Sequence, residues 1–295
     1  RPSPEGLYED QRFWMYSRDL EGVGVHFSYG FIKKAGACHP VREGASLVHP
    51  YDEVLMFGPC DPSDDILHLG AEIAIEVGEE NEELVFDEPA FVVIPKGTPH
   101  GPVTVRNLSK PIAHYLVGLG PEYKAEFTPK KTKTTGTKHI GLIKKFRGVR
   151  SLVSKKLSVG KPRPTFLGPG HGDLWQAAWA FGEDLGLDIN LEWAFYSGSG
   201  LWHRIGRGGA HVHPTDELLI FVGLDPENLN NLGAEVEAAI GEEDERHAFS
   251  KPTVVIAPKN VIHCPFITRW VDKPYGFIVF CLDRDHTTTW LPPEE

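Results

Sequence analysis

Apolar and polar residues alternate along much of the chain with the two-residue period of a β-strand. Residues 23–33 show it most clearly, with apolar side chains at Val25, Phe27, Tyr29 and Phe31. Successive side chains of a strand point to opposite faces, so this pattern predicts a strand with one buried face. Similar short segments recur between turns rich in Gly and Pro, of which the chain has 31 and 24. This spacing predicts an all-β fold of the antiparallel barrel or jelly-roll type.

The chain contains a long internal repeat. Residues 48–57, VHPYDEVLMF, return 164 positions later as residues 212–221, VHPTDELLIF. Downstream, the sequence LGAE at 69–72 returns at 232–235, one position closer. A repeat of this length indicates two homologous domains in one chain.

Metal-ligand residue types cluster in the second copy at His211, His213, Glu217 and His263. His211 and His213 are two positions apart, so on one strand their side chains share a face. Three imidazoles and one carboxylate that converge inside a barrel suit a divalent transition metal such as Mn, Fe, Zn, Ni or Cu. We therefore expect this ion as the cofactor.

This set resembles the metal motif of the cupin family, in which His-x-His is followed by Glu and then by a more distant His. The resemblance implies that each copy is a cupin barrel, also described as a jelly roll or double-stranded β-helix. With the repeat, it implies a bicupin with three parts. We expect an N-terminal barrel at 1–120, a basic connector at 121–165, and a C-terminal barrel at 166–295 that carries the complete motif.

The first copy keeps only part of the motif. Alignment of His49 with His213 places Leu47 where His211 stands, so one imidazole is lost. The remaining residues predict a second, weaker metal site formed by His49, Glu53 and His100. Such a set either resembles the two-His, one-carboxylate sites of non-haem iron proteins or is the remnant of a site.

Two further residues are candidate catalytic groups in the second barrel. His203 precedes the ligand strand and matches His39 across the repeat, so each histidine either lines a pocket as a proton donor or caps a loop. Glu235 lies within an apolar strand and matches Glu72. An inward Glu235 would be a general acid or an extra ligand, whereas an outward one is a surface charge.

Charge is distributed unevenly. The formal net charge is −11, yet Lys124 to Arg163 contains 13 basic residues and one acidic residue. The simpler account is a connector that lies across acidic barrel surface, and the segment has no recognised nucleic-acid motif. We therefore expect no nucleic-acid partner. The chain has no run of 18 apolar residues, so we expect no membrane-spanning helix and no membrane partner.

The four cysteines, Cys38, Cys60, Cys264 and Cys281, have no CxxC spacing. This usage fits a reducing compartment, and the chain opens without a signal-like apolar segment, so we expect a cytoplasmic protein.

Bicupins include decarboxylases, dioxygenases, isomerases and storage globulins, so the resemblance leaves the reaction open. Our preferred hypothesis is a metal-dependent enzyme, a dioxygenase, that acts on a small oxygenated organic molecule at the second barrel. One alternative is an oxygen-independent decarboxylase, lyase or isomerase. The other is a non-catalytic binding or storage protein. The expected partner is the small-molecule substrate, and the protein is expected to be a monomer or a homodimer.

Overall fold

The computed structural model describes residues 8, 11–39, 43–63, 65–146, 177–203 and 206–293. These residues are almost entirely strand and turn, with three short helical segments at Ser17–Asp19, Ile140–Leu142 and Gly182–Leu185. The chain divides into two compact units, each built from two antiparallel sheets. The prediction of an all-β fold with two tandem barrels is confirmed.

None of the helices among these residues has the length and apolar character that a bilayer crossing requires.

The first unit contains the strands β1 (Arg12–Met15), β2 (His26–Ile32), β3 (Gly36–His39), β4 (Ala45–Val48), β5 (Glu53–Pro59), β6 (Glu72–Val77), β7 (Glu82–Phe86), β8 (Ala90–Ile94), β9 (His100–Arg106), β10 (Ile112–Gly118), β11 (Glu126–Pro129) and β12 (Ile143–Lys145). One sheet has the order β1-β2-β10-β5-β8-β12. The other has the order β11-β4-β9-β6-β7, with β3 also paired to β9.

The second unit contains β13 (Ala177–Ala180), β14 (Asn190–Tyr196), β15 (Gly200–Leu201), β16 (His211–Val212), β17 (Glu217–Gly223), β18 (Ala234–Ile240), β19 (Glu245–Phe249), β20 (Thr253–Ala257), β21 (His263–Val271), β22 (Tyr275–Cys281) and β23 (Thr289–Trp290). Its sheets have the orders β13-β14-β22-β17-β20 and β19-β18-β21-β16-β23, with β15 paired to β21.

The two units match strand for strand, except that β12 of the first unit has no counterpart among the described residues of the second. In order, β13, β14, β22, β17 and β20 occupy the places of β1, β2, β10, β5 and β8. Residue registers agree as well, because His114 faces Phe57 across β10 and β5, and Phe277 faces Phe221 across β22 and β17. The sequence repeat is therefore a repeat of topology and of register. A residue in one barrel can be compared with one defined residue in the other.

Each core lies between the two sheets of its unit. In the first, Leu55 and Ile112 of one sheet pack with Val103 of the other. In the second, Phe221 and Phe277 pack with Phe266. The alternation predicted from residues 23–33 is only partly visible in exposure, since all seven residues of β2 are buried.

The basic connector docks on the first unit. Its strands β11 and β12 pair with β4 and β8, and its lysines meet acidic side chains of the barrel. The ion pairs are Lys130–Glu76 (2.6 Å), Lys131–Glu79 (3.1 Å), Lys133–Glu83, Lys138–Glu80 and Lys145–Glu88. The described part of this segment, which ends at residue 146, therefore lies across acidic surface of the first barrel.

Packing rather than charge holds the end of this segment. Phe146 is 8% exposed, and its ring centroid lies 4.8 Å from that of Phe91. Burial of a phenylalanine contributes about 1.5–3 kcal/mol, whereas a surface ion pair contributes about 0–1 kcal/mol. The first unit therefore extends to Phe146, beyond the boundary predicted at residue 120. The predicted rest of the connector, 147–165, and the predicted start of the second barrel lie outside the described residues.

Close packing of one glycine beside the first barrel's buried carboxylate gives a test of the fold. Gly118 pairs with both His26 and Glu53, and a Cβ on Gly118 would overlap the His26 ring. We expect Gly118→Ala to lower the free energy of unfolding of the first barrel by about 1–3 kcal/mol. The matched control is Gly24→Ala, where a Cβ meets no atom within 4 Å. Urea unfolding monitored by circular dichroism measures both, and equal midpoints would contradict the packing described.

Candidate metal centres

Both sheets of the second unit contribute to one cluster of side chains. His211 opens β16 and lies opposite His263, the first residue of β21, in the same sheet. Glu217 opens β17 in the facing sheet, and His213 lies in the turn that joins the two sheets. The four positions predicted from the sequence are thus brought together at the ends of neighbouring strands.

The four side chains are buried and close enough for a shared ion. Their donor atoms all lie within 4.8 Å of one another. Oε2 of Glu217 is 2.9 Å from Nε2 of His263 and 3.3 Å from Nε2 of His213, and the ring centroids of His211 and His263 are 4.1 Å apart. Two ligands with bonds of about 2 Å to one ion can lie up to roughly 4 Å apart, so the cluster is near the size that an ion needs.

Backbone carbonyls determine which nitrogen of each imidazole faces the cluster. The three pairs are His211 Nδ1 with Gly209 O (2.5 Å), His213 Nδ1 with Thr287 O (2.7 Å) and His263 Nδ1 with Val261 O (3.3 Å). A carbonyl oxygen can only accept, so each Nδ1 carries the proton and each Nε2 presents a lone pair. This is the orientation that metal-ligating histidines adopt.

The same atoms lack hydrogen-bond partners among the described residues. Nε2 of His213, Nε2 of His263 and Oε2 of Glu217 are buried without one. An unsatisfied buried polar atom costs about 1–3 kcal/mol, and more when it is charged. A cation bonded to these atoms removes that cost. The donor set therefore fits the predicted divalent transition metal, because imidazole favours such ions over Mg²⁺ and Ca²⁺.

Electrostatics favour a charged Glu217 and a neutral His211, while the Glu217 carboxylate raises the pKa of His213 above its usual value in spite of burial. Burial alone would raise the pKa of the Glu217 carboxyl, but His213 and His263 bring that pKa well below its ordinary value. Burial, followed by the neighbouring His263, lowers the pKa of His211 well below its usual range. At neutral pH the carboxylate is therefore charged and His211 is neutral, as metal ligands must be.

The first unit assembles a second cluster from four residues rather than the predicted three. His39 joins His49, Glu53 and His100, and their donor atoms also lie within 4.8 Å of one another. The two oxygens of Glu53 each lie 3.5 Å from an Nε2 atom, one from His49 and one from His100. Sequence reasoning left His39 as either a pocket residue or a loop cap and did not include it among the ligands.

The missing imidazole is where the alignment placed it. Leu47 lies opposite His100 in the register of β4 and β9, as His211 lies opposite His263 in the second unit. The fourth donor of the first cluster therefore comes from a different strand, β3, whose last residue is His39.

The predicted catalytic residue His203 lies beside the second cluster but outside its donor set. Its ring centroid is 5.9 Å from that of His211 and 5.6 Å from that of Trp290. A role for His203 as a proton donor stays a prediction.

Glu235 does not reach the second cluster. Val236 and Ala238 of β18 belong to the core, so Glu235 faces the opposite side of the strand, where its Oε1 lies 3.2 Å from Nη1 of Arg269. The Glu235 side chain is 30% exposed. Of the two readings that the sequence left open, the structure places Glu235 as a surface charge. Glu72 takes the same role in the first unit, 3.7 Å from Arg106.

Sequence reasoning missed a histidine next to the second cluster. Nε2 of His286 lies 3.8 Å from Oε1 of Glu217, and its Nδ1 lies 3.2 Å from Oδ1 of Asn190. The Asn190 amide NH₂ donates to the Asp283 carbonyl, so Oδ1 accepts from His286, and Nε2 of His286 again presents a lone pair. Burial lowers the pKa of His286 to about 4.

The repeat offered a signal for this position. Trp14 and Trp179 match across the two copies. Each makes a T-shaped contact with an aromatic or imidazole ring that lies beside its cluster. In the first unit that ring is Tyr123, 5.9 Å from Trp14, and in the second it is His286, 4.9 Å from Trp179. His286 also forms a separate candidate ligand group with Glu217 and Cys281.

Comparisons with known proteins agree with the fold. No family model and no curated protein matches the chain. Similar solved structures include the Bacillus subtilis oxalate decarboxylase at pH 4.6, with a TM-score of 0.54 and 13% identity over 97% of this chain and 75% of that one. A variant of that enzyme in which one tryptophan is replaced by tyrosine gives a TM-score of 0.53 and 14% identity, over 97% and 76%.

At this level of identity the likeness concerns the fold. It confirms the expected architecture, two tandem cupin barrels in one chain, which is the bicupin fold.

The cluster geometry predicts that His263→Ala removes one metal ion. The variant loses one of four donors and leaves Oε2 of Glu217 without its nearest imidazole, so we expect the second cluster to lose its ion while the barrel remains folded. Metal per chain, measured by plasma mass spectrometry on protein loaded with Mn²⁺ or Co²⁺, should fall by one equivalent. The control His247→Ala removes an exposed histidine of β19 and should change nothing. Unchanged stoichiometry in His263→Ala would refute the ligand assignment.

Proposed function

We propose that the protein is a metal-dependent decarboxylase or lyase that acts on a small organic acid at the second barrel. The observation that carries this proposal is the convergence of three imidazole lone pairs on the buried carboxylate of Glu217. In this proposal His211, His213, Glu217 and His263 hold the ion. The set formed by His49, Glu53 and His100 holds a second ion.

The four donors would hold the ion, and a small acid with two neighbouring oxygens, such as a hydroxy acid, keto acid or dicarboxylic acid, would bind to it through those oxygens. The bound ion supplies Lewis-acid stabilisation of negative charge on those oxygens. The protein holds the donors rigid, because each imidazole is locked by its backbone carbonyl and each ligand begins or flanks a strand.

Neighbouring side chains determine where a proton can move. His286 has its Nδ1 hydrogen committed to Asn190, so only its Nε2 atom can exchange a proton with a substrate. The rings of Trp179 and Trp290 border the cluster, 4.9 Å from His286 and 4.6 Å from His211. Trp179 is buried and limits the access of water on its side of the site, whereas Trp290 is 37% exposed.

The likeness to oxalate decarboxylases supports the oxygen-independent alternative over the dioxygenase that the sequence analysis preferred. A buried donor set that no other described residue satisfies also argues against a storage role. The cytoplasmic location and the monomeric or dimeric state stay predictions.

Turnover without oxygen tests the proposed reaction. Protein loaded with Mn²⁺ or Co²⁺ is expected to release CO₂ from at least one acid in a panel of small dicarboxylic, keto and hydroxy acids. The rate should be equal in air and under argon, and dialysis against a chelator should abolish it. His211→Ala should lower kcat/KM at least about 100-fold because it removes Lewis-acid stabilisation worth several kcal/mol. His247→Ala serves as the control. Oxygen uptake that accompanies turnover would favour a dioxygenase, and an inactive, fully loaded protein would contradict the proposal.

A further inference from the structure

The first barrel replaces its missing ligand by a different construction. Position 47, which corresponds to the ligand His211, is a buried leucine, yet the imidazole of His39 enters the same cluster from β3. His203, the residue of the second barrel that matches His39, stays outside its donor set. Something specific to the first barrel must therefore direct His39 inward.

A chain of hydrogen bonds runs from His39 into the sheet behind it. Nδ1 of His39 lies 3.0 Å from Oη of Tyr8, and the same Oη lies 2.7 Å from Nε2 of His114. Nδ1 of His114 lies 2.6 Å from the carbonyl oxygen of Met56. The two histidines are fully buried and Tyr8 is partly buried.

Only one arrangement of protons satisfies this chain. The Met56 carbonyl accepts, so Nδ1 of His114 carries its proton and Nε2 of His114 must accept from the Tyr8 hydroxyl. That hydroxyl has one hydrogen, so its oxygen accepts from Nδ1–H of His39. The remaining nitrogen of His39, Nε2, then presents a lone pair to the cluster. This atom is buried and has no hydrogen-bond partner among the described residues.

Further contacts hold Tyr8 in place. The guanidinium of Arg12 lies 4.1 Å above the centroid of the Tyr8 ring. Arg12 in turn donates to Ser28 Oγ and to the carbonyl of His114, both at 2.9 Å. The ring of His114 stacks on Phe57, with centroids 4.5 Å apart.

At the matched positions that the structure describes, the second barrel lacks the partners of this chain. Phe277 stands in the place of His114 and cannot accept a hydrogen bond, and Ala177 and Glu192 stand in the places of Arg12 and Ser28. Within the described ranges, the barrel with an imidazole at position 211 therefore shows no such chain, and the barrel with Leu47 has it. One barrel thus has the ligand imidazole of His211, and the other has the hydrogen-bond chain that orients His39 in its place.

We propose that His39 is the fourth ligand of a metal centre in the first barrel, and that Tyr8 and His114 are positioning residues that fix its Nε2 toward the ion. This goes beyond the proposed reaction. It rests on the proposal that these donor sets bind metal, and it does not depend on the chemistry of the second barrel. The two centres of the chain are then different sites with different outer hydrogen bonds, so their metal affinities can differ.

Copper binding tests the ligand assignment directly. In full-length protein with His263→Ala, which removes a ligand of the second centre, Cu²⁺ titrated into the first centre should show three coordinated nitrogens in its electron paramagnetic resonance spectrum. Addition of His39→Ala should reduce the number to two. Three nitrogens in the His39→Ala protein, or only two in the parent, would overturn the assignment.

The positioning role has its own measurement. In the same background, Tyr8→Phe should weaken Cu²⁺ binding about 10- to 100-fold in a chelator competition, as loss of outer-sphere partners does. The matched control Tyr275→Phe removes a buried tyrosine hydroxyl of the second barrel, bonded to Thr268 at 2.7 Å, and should leave the affinity unchanged. Equal affinities for Tyr8→Phe and the parent would overturn the role. Because Tyr8 is only partly buried, Tyr8→Phe is expected to fold, and its Cu²⁺ affinity tests the proposal even if His39→Ala is unstable.

A double-mutant cycle distinguishes a connected chain from general loss of packing. His114→Phe installs the residue that the second barrel has at the matched position. If both residues act through His39, the Tyr8→Phe/His114→Phe double variant should bind Cu²⁺ no more weakly than the weaker single variant. Losses that simply add would overturn the chain. None of these measurements uses turnover, so failure of the decarboxylase assay leaves them intact and they can fail while that assay succeeds.

Discussion

Both barrels depend on a buried carboxylate that faces the Nε2 atoms of the neighbouring histidines. Glu53 and Glu217 are almost completely inaccessible, and the Nε2 atoms that face them present lone pairs because each Nδ1 is engaged elsewhere. Acceptors that face acceptors in a low-dielectric interior repel unless a cation lies between them. The fold brings these acceptor atoms together, because the donors lie at the ends of strands from two different sheets. A metal ion bound between these atoms would remove the repulsion in both barrels.

The strands explain why such an arrangement persists. His211 and His263 are register partners, so neither can shift without breaking the pairing of β16 and β21. One outer hydrogen bond in each barrel comes from the segment that follows β10 or its counterpart β22. Lys124 O accepts from His49, and Thr287 O accepts from His213, at matched positions of the repeat. This segment therefore also orients one ligand in each barrel.

Much of the architecture and most of the ligands follow from the sequence. The repeat fixes the number of barrels, and side-chain parity places His211 and His213 on one face. The orientation of Glu235 was also within reach, because Val236 and Ala238 occupy the core face of the same strand. The hydrogen-bond chain of His39, Tyr8 and His114 could not be predicted, since hydrogen bonds that span 31 and 106 positions leave no local pattern in the sequence. His286 was missed because a loop residue shows no strand period, although its counterpart Tyr123 stands at the matched position of the repeat.

The most direct test of the account is anomalous diffraction from crystals of the full chain soaked with Mn²⁺. The account predicts two peaks per chain, each about 2–2.3 Å from a carboxylate oxygen, one at Glu53 and one at Glu217. The peak at Glu53 should also lie within bonding distance of Nε2 of His39. A map without a peak at Glu217, with its imidazoles still turned inward, would contradict the claim that these donors close around a cation.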